Sequence, residues 1–167
     1  MNLNTTLIDL ADRAEVSVKT LPALTAGQLN AHPLGHPNSI AWLLWHTGRV
    51  LDALTSPLTG DEQLWDAEYK AKFGLGALAD GTGVGHTTEE AAQITAEDQD
   101  LLTDYIVAGL ERWRQYVASV ENVDEFEEIV GEFKGGPQTR QAKLTLAMVD
   151  AVRHIDQALY VAGMPEL

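Results

Sequence analysis

A chain of 167 residues with 45% hydrophobic and 22% charged side chains suits one soluble domain built on a single sizeable core. Its 25 acidic against 11 basic residues give a formal charge of −14, which excludes duplex nucleic acid and anionic membrane surfaces as natural partners, because both are recognised by clustered Lys and Arg. No cysteine is present, so disulfides, thiolate metal ligands and a cysteine nucleophile are excluded as well.

The chain opens MNLNTTLIDLADRAEV, which has neither the basic start nor the continuous apolar stretch of a secretory signal. No run of about 18 apolar residues follows to span a membrane, and the expected location is the cytoplasm. From Leu3 to about Leu21 the apolar residues Leu3, Leu7, Leu10, Ala11, Ala14, Val18 and Leu21 recur at helical spacing, with Asn4 to Thr6 as candidate caps. His32 and His36 flank a proline-containing turn and read as solvent-exposed.

A second helix starts after Pro37, at Asn38/Ser39, and is predicted to end at about Ser56, because Pro57 disfavours helical geometry in the residue before it. Residues 65–73 read as a short helix. The stretch GLGALADGTGVGHT is glycine-rich with no strand on either side, so it reads as a long flexible connection rather than a phosphate-binding loop. A third long helix is predicted from about Ala96 to Val120, a second short one over 123–130, and a fourth long helix from about Thr139, after Gly135-Gly136-Pro137. The fourth ends at Gly163, with Pro165 just beyond. Alternating β-branched runs are nearly absent. The predicted architecture is therefore all-α: a four-helix bundle forming one domain over residues 1–167, with a long connection between helices 2 and 3 and a short third connection.

Three residues stand out chemically. Asp150 and His154 are four apart on the fourth helix, so they stack on one side a turn apart, and His46 lies on the second helix in WLLWHTGRV. Two imidazoles and a carboxylate converging from two helices would form a three-ligand site for a divalent metal, with open positions for chemistry. The competing reading is ordinary. A histidine on a helix edge is more often a surface or hydrogen-bonded core residue, an Asp/His pair at this spacing is often a simple helix-surface pair, and spacing alone does not turn His46 toward the fourth helix. Trp42 is a candidate wall for a cavity beside His46 or packing against a connection.

The stretches NSIAWLLWHTGRVLDA, GVGHT and RHIDQALYVAGM resemble, in that order, the DinB superfamily. The resemblance covers nearly the whole chain; it is strongest around His46 and His154 and loose through residues 57–95 and 120–138. The branch it points to is that of single-domain actinobacterial members related to the metal-binding domain of mycothiol-dependent maleylpyruvate isomerase. It implies a four-helix bundle with a divalent metal held by His46, Asp150 and His154. Many members have His at the first position of the last pair, whereas this chain has Asp150; the isomerase also has a carboxylate there. The ligand set suits zinc, iron or nickel.

What the resemblance further implies is a thiol S-transferase or isomerase that takes a low-molecular-weight thiol, such as mycothiol, and a small-molecule electrophile. Arg49 and Gln157, one helical turn from the ligands, are candidates for orienting a polar substrate or cofactor. The isomerase has a further C-terminal domain that completes its substrate site, so its particular reaction is not carried over to a chain ending at Leu167. Two alternatives stand beside this. A metal-dependent hydrolase would need a general base, for which Asp52 and His86 are the candidates, although His86 also reads as a loop-fixing residue. A non-catalytic metal-binding stress or interaction protein would use the same ligands as a staple. A homodimer is expected if an apolar helix face is left uncovered.

Overall fold

The computed structural model describes residues 3–164, and its elements follow from local signals that are mostly visible in the chain. Helix α1 spans Leu3–Lys19 and buries Leu7, Ala11, Ala14 and Val18, the inner part of its predicted stripe. A single turn, α2 (Ala26–Leu29), is closed at its start by a reciprocal capping box between Thr25 and Gln28. Helix α3 spans Ile40–Thr59, with the Ser39 hydroxyl accepting from the Trp42 N–H. Helix α4 (Ala67–Phe73) and the single turn α5 (Thr88–Ala91) lie in the connection that follows. Helix α6 spans Gln99–Ser119 with Asp98 as its cap, and α7 spans Arg140–Ala162 with Thr139 as its cap.

The predicted end of the second helix at Ser56 is corrected by three residues. Pro57 sits inside the last turn, where it is exposed, and the helix continues to Thr59 before Gly60 closes it in the left-handed region at φ 79°. A proline so near the end removes one hydrogen bond, and the remaining turn is closed by the Gly60 N–H on the Ser56 carbonyl at 2.9 Å.

The near-absence of strands is also corrected. Strand β1 (Ile129–Phe133) pairs antiparallel with β2 (Gly136–Thr139), Phe133 facing Gly136 and Ile129 facing Thr139, with a register irregularity between Ile129 and Gly131. Lys134 and Gly135 both have positive φ, 51° and 80°, as a two-residue type I′ hairpin turn requires. The hairpin escapes a pattern-based reading because β1 is almost wholly exposed and therefore carries no inside–outside alternation. The expected short helix over 123–130 is a 3-10 turn, Val123–Glu127, that leads into β1, and the third connection is not short.

Helix α3 is the centre of the molecule. It packs chiefly on α7 and α6, while α1 closes the bundle against the same two helices. Fifteen of its 20 residues are buried, including His46, Arg49 and Asp52, because the connection between α3 and α6 covers the side that the bundle leaves open. A helix enclosed all round holds charged side chains at low cost only where each finds a partner. Gly48 makes room for the ring of Tyr105 from α6, which a Cβ at that position would strike. No helix among the described residues is long and apolar enough to cross a membrane. Pro165, read as a stop signal after the fourth helix, lies outside the described residues.

Candidate metal centre

The tight packing of α3 on α7 brings His46 against the Asp150/His154 pair. His46 is 3% exposed, and its Nε2 lies 3.4 Å from Asp150 Oδ2. His154 Nε2 lies 3.5 Å from the other carboxylate oxygen, Oδ1. One donor atom from each of the three residues falls within 4.8 Å of the others. Two donors each about 2.1 Å from one cation sit roughly 3–3.5 Å apart, so the two histidine–carboxylate spacings match what a shared ion requires.

Both imidazoles are set in the same tautomer from behind. The Nδ1–H of His46 donates to the Thr82 carbonyl at 2.5 Å, and the Nδ1–H of His154 donates to Gln157 Oε1 at 2.6 Å. In the neutral form each ring then presents the lone pair of Nε2 to the centre, as a metal ligand needs. Trp42 stacks on His46 with ring centroids 4.6 Å apart and planes 11° from parallel, and the His46 and His154 rings meet edge to face at 4.8 Å. Trp42 fills both roles considered for it, because its Nε1–H also donates to His86 Nδ1 in the connection, at 3.3 Å.

The electrostatics point the same way. Asp150 Oδ2 is buried and receives no hydrogen bond. Burial pushes the Asp150 carboxyl up, yet the neighbouring His154 and His46 more than offset this and hold it well below the usual carboxylate range. Burial lowers His154, while Asp150 and Gln157 raise it, and the net direction is up. A carboxylate whose Oδ2 is buried without a donor, with one imidazole nitrogen beside each of its two oxygens, is an arrangement that a cation would complete. The donor set of two nitrogens and a carboxylate is one that divalent transition metals accept.

The remaining candidates lie elsewhere. Arg49 does not face the centre: its guanidinium donates to the carbonyls of Asp80 and Gly81 at 2.8 and 3.0 Å, to Gln63 and to Tyr105, and it stacks over Trp65. Asp52 is wholly buried and accepts from the N–H groups of Leu64 and Trp65 at 2.8 and 2.9 Å and from the Tyr105 hydroxyl at 2.9 Å, with Arg49 and Arg112 beside it. These two residues clamp the connection onto the bundle. His86 stacks on Trp45 at 5.9 Å and accepts from Trp42. Gln157 touches the centre only through His154.

The expected flexible glycine-rich connection is corrected in consequence. Residues 80–83 are held against α3 by Arg49 and His46. Gly83, at φ +86°, lies so close to the tryptophans that a Cβ would fall 2.7 Å from Trp45. The Thr82 carbonyl that orients His46 is a backbone group, so no side chain announces it; the glycines on either side are the one hint, because they allow close approach.

Comparison with known proteins gives the chain a sequence family and a solved structure of similar shape. The sequence profile described as the DinB superfamily matches residues 10–158. A solved structure titled "Crystal structure of the conserved protein of locus from Enterococcus faecalis" is similar at 30% identity and a TM-score of 0.85, covering 97% of this chain and 96% of that one. No curated protein matches.

Proposed function

Because the chain belongs to the DinB superfamily, we propose that it holds one divalent cation (zinc, nickel or iron) on His46, Asp150 and His154, and that it activates a low-molecular-weight thiol, such as mycothiol, for transfer to a small electrophile. The observation that carries the metal reading is the unpartnered, buried Asp150 Oδ2 beside His46 Nε2, with His154 Nε2 beside Oδ1 and both Nδ1 atoms already tied. A divalent cation, when bound, supplies the positive charge that makes a thiol ionise near neutral pH.

The chain's own residues fit that division of labour. Three protein ligands leave positions open to an incoming group. No cysteine is available, so the sulfur must arrive with a co-substrate. A hydrolase would need a general base with a free lone pair at the centre, and both candidates are engaged elsewhere: Asp52 with the connection and His86 with Trp42. Trp42 shields one face of His46 from water. The choice of mycothiol rests on the sequence resemblance to the mycothiol-dependent isomerase.

Elemental analysis joined to a thiol-transfer assay tests the proposal. Metal-loaded protein should speed transfer of mycothiol to a small chromogenic electrophile, and His46→Ala should lose both metal and rate. Ester or amide turnover without thiol would replace this reading with hydrolysis. Full metal occupancy without either activity would reduce the three residues to a structural staple.

A further inference from the structure

We propose that the groove beside the metal centre is a binding site for a small organic anion with an apolar body, the carboxylate pairing with Arg153; the further identification of that anion as the electrophile rests on the function proposed above. The groove encloses about 670 Å³ between the turn at 33–38 and the last three turns of α7, a volume ordinary for a small-molecule site. It adjoins the centre through Gln157, which lines it and also holds His154.

Two independent observations give the occupant its chemistry. The first is charge. Arg13, Arg49, Arg112, Arg114 and Arg140 each lie within ion-pair distance of a carboxylate, whereas Arg153 has no such partner among the described residues. In a chain with 25 acidic residues an uncommitted guanidinium is out of the ordinary, and this one lies in the sequence between Asp150 and His154 and on the groove wall. Its planar donor fork suits a carboxylate.

The second observation is apolar exposure under strain. Leu34 is fully exposed on the groove rim, and its backbone is left-handed at φ 54°. A leucine gains nothing from water, and a non-glycine residue is strained at that φ, so neither burial nor backbone preference accounts for it. Leu43, Val161 and Met164 continue the apolar wall. Asp156 lies on the same wall a turn further along α7, where it disfavours a second negative charge on the ligand and favours a monoanion.

The test uses 4-phenylbutyrate and its neutral amide, titrated calorimetrically into the full chain after metal removal, so that the carboxylate cannot report on a cation. The acid should bind one per chain and at least tenfold more tightly than the amide. Arg153→Gln should erase that preference, Leu34→Asp should weaken both ligands, and Lys134→Gln on the distant hairpin should change nothing. Arg153 and Leu34 are exposed, so neither substitution threatens the fold. Absence of saturable binding, equal affinity for acid and amide, or a preference that survives Arg153→Gln would overturn the proposal. Metal content and thiol transfer, measured separately, keep the two readings apart: acid preference in a chain that neither holds metal nor moves thiol sinks only the proposed function, and the reverse sinks only the groove.

Discussion

His46 Nε2 faces Asp150 Oδ2 across 3.4 Å, while the Nδ1–H of the same ring donates to the Thr82 carbonyl 2.5 Å away. With the ring neutral, the contact is a lone pair facing a buried carboxylate oxygen, which is unfavourable by itself and which a shared cation would relieve. Its energetics can be measured. Metal bound to the folded state alone, at 100 times its dissociation constant, stabilises by about 2.7 kcal/mol. For a chain of this size that corresponds to a Tm roughly 5–10 °C higher. Chelation should reverse the shift in the native protein and produce none in His46→Ala or His154→Ala; His32→Ala should behave like the native chain. A Tm indifferent to chelator in all four proteins would remove the metal centre.

Gln157 orients His154 without being a candidate ligand itself. Loss of such a supporting hydrogen bond typically lowers metal affinity by about 10–100-fold. Gln157→Leu should do so in a competition titration with a chromophoric chelator, while far-ultraviolet circular dichroism stays native because the side chain is exposed. Native affinity in this variant would mean that His154 is held by other means.

Asp52 joins α3 to the connection, to Tyr105 and to two arginines. Asp52→Ala leaves Arg49 buried without its carboxylate and strands two backbone N–H groups, a loss on the order of 3–5 kcal/mol. Urea denaturation should show it. A change below about 1 kcal/mol would indicate that the connection rearranges freely.

Tyr105 supplies a pH signature distant from the metal centre. Burial, and then the Asp52 carboxylate, push its phenol well above the ordinary value. A raised pKa in the folded state means that the neutral phenol is favoured there, so the associated stability is fully present below about pH 10 and is lost as pH rises past it. The urea midpoint of the native protein should fall more steeply above that pH than the midpoint of Tyr105→Phe. Parallel profiles would show that the phenol ionises without cost.

The long helices were legible in the chain because each buries one face, and a period of 3.6 residues records that directly: Leu7, Ala11, Ala14 and Val18 in α1, and Leu144, Met148, Ala151 and Ile155 in α7, line the core as their spacing predicts. The Asp150/His154 pair was legible for the same reason, since a four-residue interval places both side chains on one side of any helix. Periodicity carries no information about which helix faces which, so only the packing of α3 on α7 decided that His46 meets the pair. The same limit explains the two arginines. Arg49 and Arg153 lie respectively three residues after one candidate ligand and one residue before another, yet Arg49 turns into the connection and Arg153 onto an open groove. The exposed hairpin left no hydrophobic alternation to read, and the Thr82 carbonyl left no side chain. Local periodicity is a property of one segment, whereas partners, tautomers and cavities arise only where segments distant in the chain are brought within a few ångströms of each other.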